Sequence, residues 1–452
     1  MLTAAIERRD AIDIIESLRS GIPPRRFVSS YSVGTEQFIK DVRRRHLETT
    51  SSRGRIRFLC GHWGAGKTHM LRLLREAAFS AGYLVSTVEL NVDQTPFHHF
   101  ERVFFDIVRN LSSPEQYAAG RSQAAPLGDI LERDLTPAAG PHPQPLSWTE
   151  RGDEGDGSTV SLRGSPLSAQ ERGLGVRSHL IAAAKARLFA DTGIDVDFRR
   201  LVAAYWDTFL PDAGDELALQ DTRSRILQWF TGEGGSAYRT LYGVQKGIDR
   251  GNARLMLQSL CRFTCHVGYR GLVVLLDEAE MAYSVMRRAD LKQAHNNLLH
   301  LINGIDESEG AFLIYAATPD FFVDDRYGIV NYGALAQRIG RPELRVPNAL
   351  DRVWNLDALK ASPDDYVSAA SKIREIYLLA DAEAEERVMP DAALQHYVAE
   401  LVAMHPEFSH ISTWRVVVTG TVQALDRGES GEREQLVQEA YDDVMARLRA
   451  EG

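Results

Sequence analysis

The octapeptide GHWGAGKT at Gly61–Thr68 constrains this chain more than any other stretch. It fills the G-x-x-x-x-G-K-[ST] pattern, a loop whose backbone N–H groups must converge on one point. Such a loop works between a buried strand and a helix, because the helix adds the positive end of its dipole. The flanks comply: residues 55–60 (RIRFLC) read as a short strand, and 68–80 carry amphipathic helical spacing. Further strands are expected at 83–90 (YLVSTVEL), 271–276 (GLVVLL) and 311–317 (AFLIYAA). Helical periodicity falls between them, at 97–111, from His179, at 197–210, 216–231, 250–266 and near 285–305. Strands alternating with helices imply an α/β fold, a parallel sheet with crossover helices on its faces.

The chemistry follows from the same residues. Gly61 and Gly66 allow backbone conformations that a side chain forbids, so Gly61, His62, Trp63, Gly64, Ala65 and Gly66 can wrap a phosphate. Lys67 is placed to reach β- and γ-phosphates, and Thr68 to ligand Mg²⁺. VVLLDEAE at Val273–Glu280 supplies the second half. Its apolar strand delivers Asp277 to the sheet's carboxyl edge as a metal-side carboxylate, and Glu278 beside it is suited to polarise an attacking water. Thr318, after the 311–317 strand, is expected between the P-loop and Asp277 strand ends, where it could orient water or touch the γ-phosphate. Positive charge for the transition state is expected from Arg338, with Arg341 and Arg415 as alternatives. The ligand is read as a nucleoside triphosphate with Mg²⁺, and no guanine-reading Asn-Lys-x-Asp motif occurs. Trp63 could stack on a base or pack against the loop.

Charge is uneven along the chain. Met1–Met70 holds 13 basic and 7 acidic residues, whereas Arg341–Gly452 holds 12 basic and 21 acidic. Any contact with a nucleic-acid backbone is therefore expected from the N-terminal half. Three domains are expected: an N-terminal helical segment at 1–50 with a turn at Gly21–Pro24, a P-loop core at 51–345, and a helical, acidic C-terminal domain at 346–452. The stretch 120–178 interrupts the core. It is rich in Gly, Pro and Ser, and holds near-copies of one octapeptide, PLSWTERG at 145–152 and PLSAQERG at 166–173. It reads as a disordered insertion without chemistry. No apolar run reaches the ~20 residues of a membrane span, and three cysteines make no disulfide framework, so a cytoplasmic protein is expected. Cys261, Cys265 and His266 lack a second ligand pair for zinc and read as helix packing. His98 and His99 read as structural.

GHWGAGKTHMLRLLREAA, GLVVLLDEAE, IYAATPDFF and YGALAQRIGRPEL, in that order, resemble the ATP-binding proteins of bacterial BREX phage-defence systems, of the BrxD type. The resemblance covers about 25–110 and 180–430. It implies an AAA+-like P-loop ATPase, related to the origin-recognition and STAND branches, with a winged-helix-like C-terminal domain. It also implies Lys67, Thr68, Asp277 and Glu278 as the ATP site, Thr318 as sensor, Arg338 as finger and Arg415 as second sensor. The repeat-bearing insertion and Trp63 depart from the family pattern. The function expected is a DNA-linked ATPase motor or switch in phage defence, working as a homo-oligomer with other defence proteins and no membrane. A nucleotide-controlled scaffold for partner proteins, and an AAA+ regulator of transposition or replication initiation, share the motifs. A single P-loop disfavours a two-core helicase, and the added helical domain disfavours a small-molecule kinase.

Overall fold

A computed structural model describes residues 6–49, 53–120, 127–135, 169–211, 213–233, 237–278, 286–406, 411–430 and 437–450. Its centre is a six-stranded sheet: β1 (Arg55–Cys60), β2 (Leu84–Glu89), β3 (Leu111–Ser112), β4 (Leu272–Asp277), β5 (Ala311–Ala317) and β6 (Val353–Asn355). The spatial order is β3-β2-β4-β5-β1-β6. Every pair is parallel except β2 with β3. β4 and β5 lie in the middle, and all their residues are buried. This explains why they read as unbroken apolar runs rather than alternating ones.

The strand period of two divides the interior into two cores. Leu272, Val274, Leu276, Leu313 and Tyr315 face one side, with Phe100, Phe104, Phe198, Trp206 and Phe263 from the crossover helices. Val273, Leu275, Phe312, Ile314 and Leu59 face the other, against the P-loop helix (Lys67–Ser80). That second core also takes in Ile14, Ile15 and Leu18 of the N-terminal helix and Ile373, Leu394, Leu401 and Val417 of the C-terminal helices. The two chain ends are joined further by charge: Arg19 donates to both carboxylate oxygens of Asp426 at 2.8 and 2.6 Å, and the Tyr377 hydroxyl donates to Asp426 at 2.9 Å.

Three expectations change. The core does not stop at 345, because β6 pairs with β1 through Phe58–Val353, Leu59–Trp354 and Cys60–Asn355. Three residues with one polar member carry no readable period. The insertion is narrower than 120–178, since Leu127–Glu132 is helical and Leu127, Ile130, Leu131 and Leu135 are buried in the first core. Helix resumes at Ala169, and the disorder expected for 121–126 and 136–168 lies outside the described residues. Finally, Pro363–Ala380, Asp391–Met404, Thr413–Glu429 and Val437–Ala450 are all helices. Among the described residues after β6 there is no strand, so none forms the β-wing of a winged helix.

Candidate active site

The P-loop leaves β1 at the carboxyl edge of the sheet and enters the Lys67–Ser80 helix directly. Gly64 and Gly66 take φ of +79° and +89°, the left-handed region that suits glycine. Gly61, expected to need the same freedom, does not have a positive φ. It is constrained by proximity instead, because a Cβ there would lie 3.0 Å from Ala65 Cβ and 3.3 Å from Leu356 Cβ. Lys67 is 8% exposed, and its ammonium donates to the carbonyls of Gly61 at 3.1 Å and His62 at 3.4 Å. The Trp63 ring, 58% exposed, lies with its centroid 5.2 Å from that ammonium. The Trp63 ring therefore packs against the loop's lysine, a cation–π contact.

The separate segments meet here. Thr68 Oγ1 donates to Asp277 Oδ2 at 2.9 Å, across 209 positions of sequence. Asp277 is buried at the end of β4, and its other oxygen accepts from the Glu278 N–H at 3.0 Å. Glu278 takes φ +55°, one of two non-glycine residues with positive φ among those described. That conformation costs about 1–2 kcal/mol, and such strain clusters where a side chain is held for function. Thr318 is buried at the end of β5, the strand between β1 and β4. The Gly61 N–H donates to Ala317 O at 3.3 Å, which ties that strand end to the P-loop.

The pocket around the loop, about 310 Å³, has walls the sequence did not reveal. Leu18, Ile22, Pro23 and Val33 come from the N-terminal segment, and Leu356, Leu359, Val418 and Thr419 from beyond β6. Arg415 lines it as well, as does the Ser412 N-cap, which lies 3.3 Å from where a Gly64 Cβ would be. Thr419 is 2% exposed, and its hydroxyl has no hydrogen-bond partner among the described residues. Asp357 accepts from the His62 N–H at 3.2 Å and meets His62 Nδ1 at 2.8 Å. A position that the G-x-x-x-x-G-K-[ST] pattern leaves open is thus clamped by a carboxylate just after β6. Arg338 and Arg341 are exposed and outside this pocket; Arg338 donates to Asn303 Oδ1 at 2.6 Å.

Behind Lys67, His69 fixes the N-terminal segment to the P-loop helix. Ser32 Oγ donates to Val28 O at 2.6 Å, which leaves its lone pair to accept from His69 Nε2 at 2.8 Å. Nδ1 then accepts from the Tyr31 hydroxyl at 3.2 Å, an assignment that requires the neutral imidazole. Burial, and next the Arg72 guanidinium, push the His69 pKa down to about 4. A folded pKa below the unfolded value of about 6.5 makes this contribution complete above pH 6.5 and lost as pH falls toward 4. Between pH 7 and 5 the loss from this one residue is about 2 kcal/mol. His46 and His295 act in the same direction, each held near 4 by burial. Urea unfolding at both pH values should show His69→Gln losing less stability than wild type on acidification. Equal losses would remove the neutral-imidazole assignment.

Away from the site, Cys261 and Cys265 lie on one packed helix, and burial pushes the Cys265 thiol up to about 12. His99 pairs with Glu101 at 2.9 Å.

No curated protein and no solved structure matches this chain. A family model does, over residues 6–135 and 178–443, passing over the repeat-bearing stretch. That model describes the BREX system ATP-binding protein BrxC/D, and it spans the P-loop, the Asp277 strand and the pocket walls at both chain ends. The chain therefore belongs to the BrxC/D family of BREX system ATP-binding proteins.

Proposed function

We propose that this protein hydrolyses ATP with Mg²⁺ in the P-loop pocket and acts as a DNA-linked switch in phage defence. The observation that carries the reading is the meeting of Thr68 with Asp277 at 2.9 Å, one residue from a strained Glu278 and one from Lys67. Thr68 and Asp277 present oxygen donors of the kind Mg²⁺ takes, so the residues fit the ion. When bound, Mg²⁺ supplies charge neutralisation across the β- and γ-phosphates. Lys67 holds the same oxygens. Glu278 accepts the proton of the attacking water as its oxygen bonds to the γ-phosphorus and the bond to the β–γ bridging oxygen breaks. Thr318 orients that water. The apolar walls suit a base, with the unpartnered Thr419 hydroxyl available to its polar edge. Arg415 contacts phosphate from the C-terminal helices, whereas exposed Arg338 acts on a neighbouring subunit's nucleotide in a homo-oligomer. The DNA link rests on the basic N-terminal half, and a cytoplasmic location follows from the function.

A second reading, a nucleotide-controlled scaffold, is favoured by the pocket's walls coming from both chain ends. ATP there would set how the acidic C-terminal helices sit for partner proteins. ATP turnover, measured with and without duplex and single-stranded DNA and against competing GTP, tests the proposal. Turnover raised by DNA and insensitive to GTP is expected. Activity flat across DNA concentrations at low salt would leave the scaffold reading, and no turnover at all would remove the enzyme.

A further inference from the structure

The opposite end of β1 carries a second concentration of charge. Arg53, Arg55, Arg57 and Arg352 line a cavity of about 390 Å³ with one acid, Asp306. Alternation along the strand puts Arg55 and Arg57 on one face. That is the face on which β4 and β5 place Val273, Leu275, Phe312 and Ile314, so two arginines stand where neighbouring strands bury apolar side chains. Their hydrogen bonds go to backbone: Arg55 to His46 O at 2.8 Å, Arg57 to Ile56 O at 2.9 Å and Arg352 to the same carbonyl at 3.5 Å. Among the described residues none of these three makes an ion pair, and Arg57 Nε is buried without a partner. A further acid that attracts Arg57, Asp351, is held by Arg345 at 2.9 Å and by the Asn348 N–H at 2.7 Å.

Half-buried like charges that outnumber the acids around them and make no ion pair are costly unless something pairs them. The local field agrees. Burial, then Arg352 and Arg55, push the Arg57 pKa down to about 10. His46 beside them falls to about 4, by burial and then by repulsion from Arg57, Arg55 and Arg45. Guanidinium forks match phosphate oxygens in charge and geometry.

We infer that Arg53, Arg55, Arg57 and Arg352 form a phosphate-binding site, separate from the P-loop at the other end of the strand. Its ligand is a phosphate group, either in a nucleic-acid backbone or as the free ion. The test uses the full chain saturated with Mg²⁺ and a slowly hydrolysed ATP analogue, which fills the P-loop. Inorganic phosphate should raise the unfolding temperature of wild type but not of Arg57→Gln/Arg352→Gln. If the source is nucleic acid, the double variant should also bind labelled duplex DNA about 10-fold more weakly, with a log–log salt slope shallower by about 2. A phosphate response without a DNA response assigns the free ion. Without ligand the double variant should unfold no lower than wild type, since it loses repulsion. Should it fail to fold, exposed Arg53→Gln gives the same comparison with a smaller loss. Phosphate and DNA responses unchanged by these substitutions would overturn the inference.

Discussion

Glu278→Gln should leave ATP binding intact and cut turnover by about 10²–10⁴-fold, the range associated with losing a general base. The amide keeps the length and shape of the side chain but cannot take the water's proton. The groups expected to hold ATP, Lys67 and the loop N–H groups, are untouched, so ATP should still raise the unfolding temperature. The variant should accumulate with ATP bound and uncleaved. The backbone provides a second measurement. Glu278 holds φ +55°, which glycine adopts without penalty. Glu278→Gly should therefore be at least as stable as wild type while being as inactive as the amide. That combination separates a residue kept for chemistry from one kept for folding. Turnover within a few-fold of wild type in Glu278→Gln would leave Glu278 a strained strand end and move the base elsewhere.

The parts of this site legible in the sequence are those set by local rules. Gly61–Thr68 carries its own geometry, and the runs ending at Asp277 and Ala317 announce buried strands by length and composition. Their order in the sheet then brings three strand ends together. What was not legible depends on contacts across the whole chain. Asp357 reaches His62 over 295 positions, and no spacing rule links them. Ile22, Val33 and Thr419 form one pocket because the N-terminal helix packs on the C-terminal helices, a pairing set by tertiary burial. The N-terminal segment reads in sequence mainly by its charge, whereas its apolar residues line the pocket around Gly61–Thr68. Leu127–Leu135 is hidden by the Gly- and Pro-rich composition of its surroundings, although the side chains of Leu127, Ile130, Leu131 and Leu135 are buried. Arg55 and Arg57 were read as part of a strand, and only the register with Phe312 and Ile314 shows how unusual their face is.

Lys67→Ala should abolish the effect of ATP on the protein, in binding as well as turnover. Lys67 is buried, and its ammonium is held by the carbonyls of Gly61 and His62 and by the ring of Trp63. Truncating one partner of a buried charge pair costs about 2–5 kcal/mol. For ATP that is a loss of about 30-fold to several thousand-fold in affinity. Ligand present at 100 times its dissociation constant stabilises a protein by about 2.7 kcal/mol. At such a concentration wild type should unfold several degrees higher with ATP than without, and Lys67→Ala should show about a third of that shift or less. The ATP-free proteins should differ little, because alanine is a good helix former at the first helical position. This pattern separates lost binding from a loosened loop, which would lower the ATP-free unfolding temperature as well. It also complements Glu278→Gln: one variant should bind without turning over, and the other should do neither. If Lys67→Ala keeps full activity, the nucleotide site is not at Gly61–Thr68, and the convergence of Thr68, Asp277 and Glu278 has another purpose.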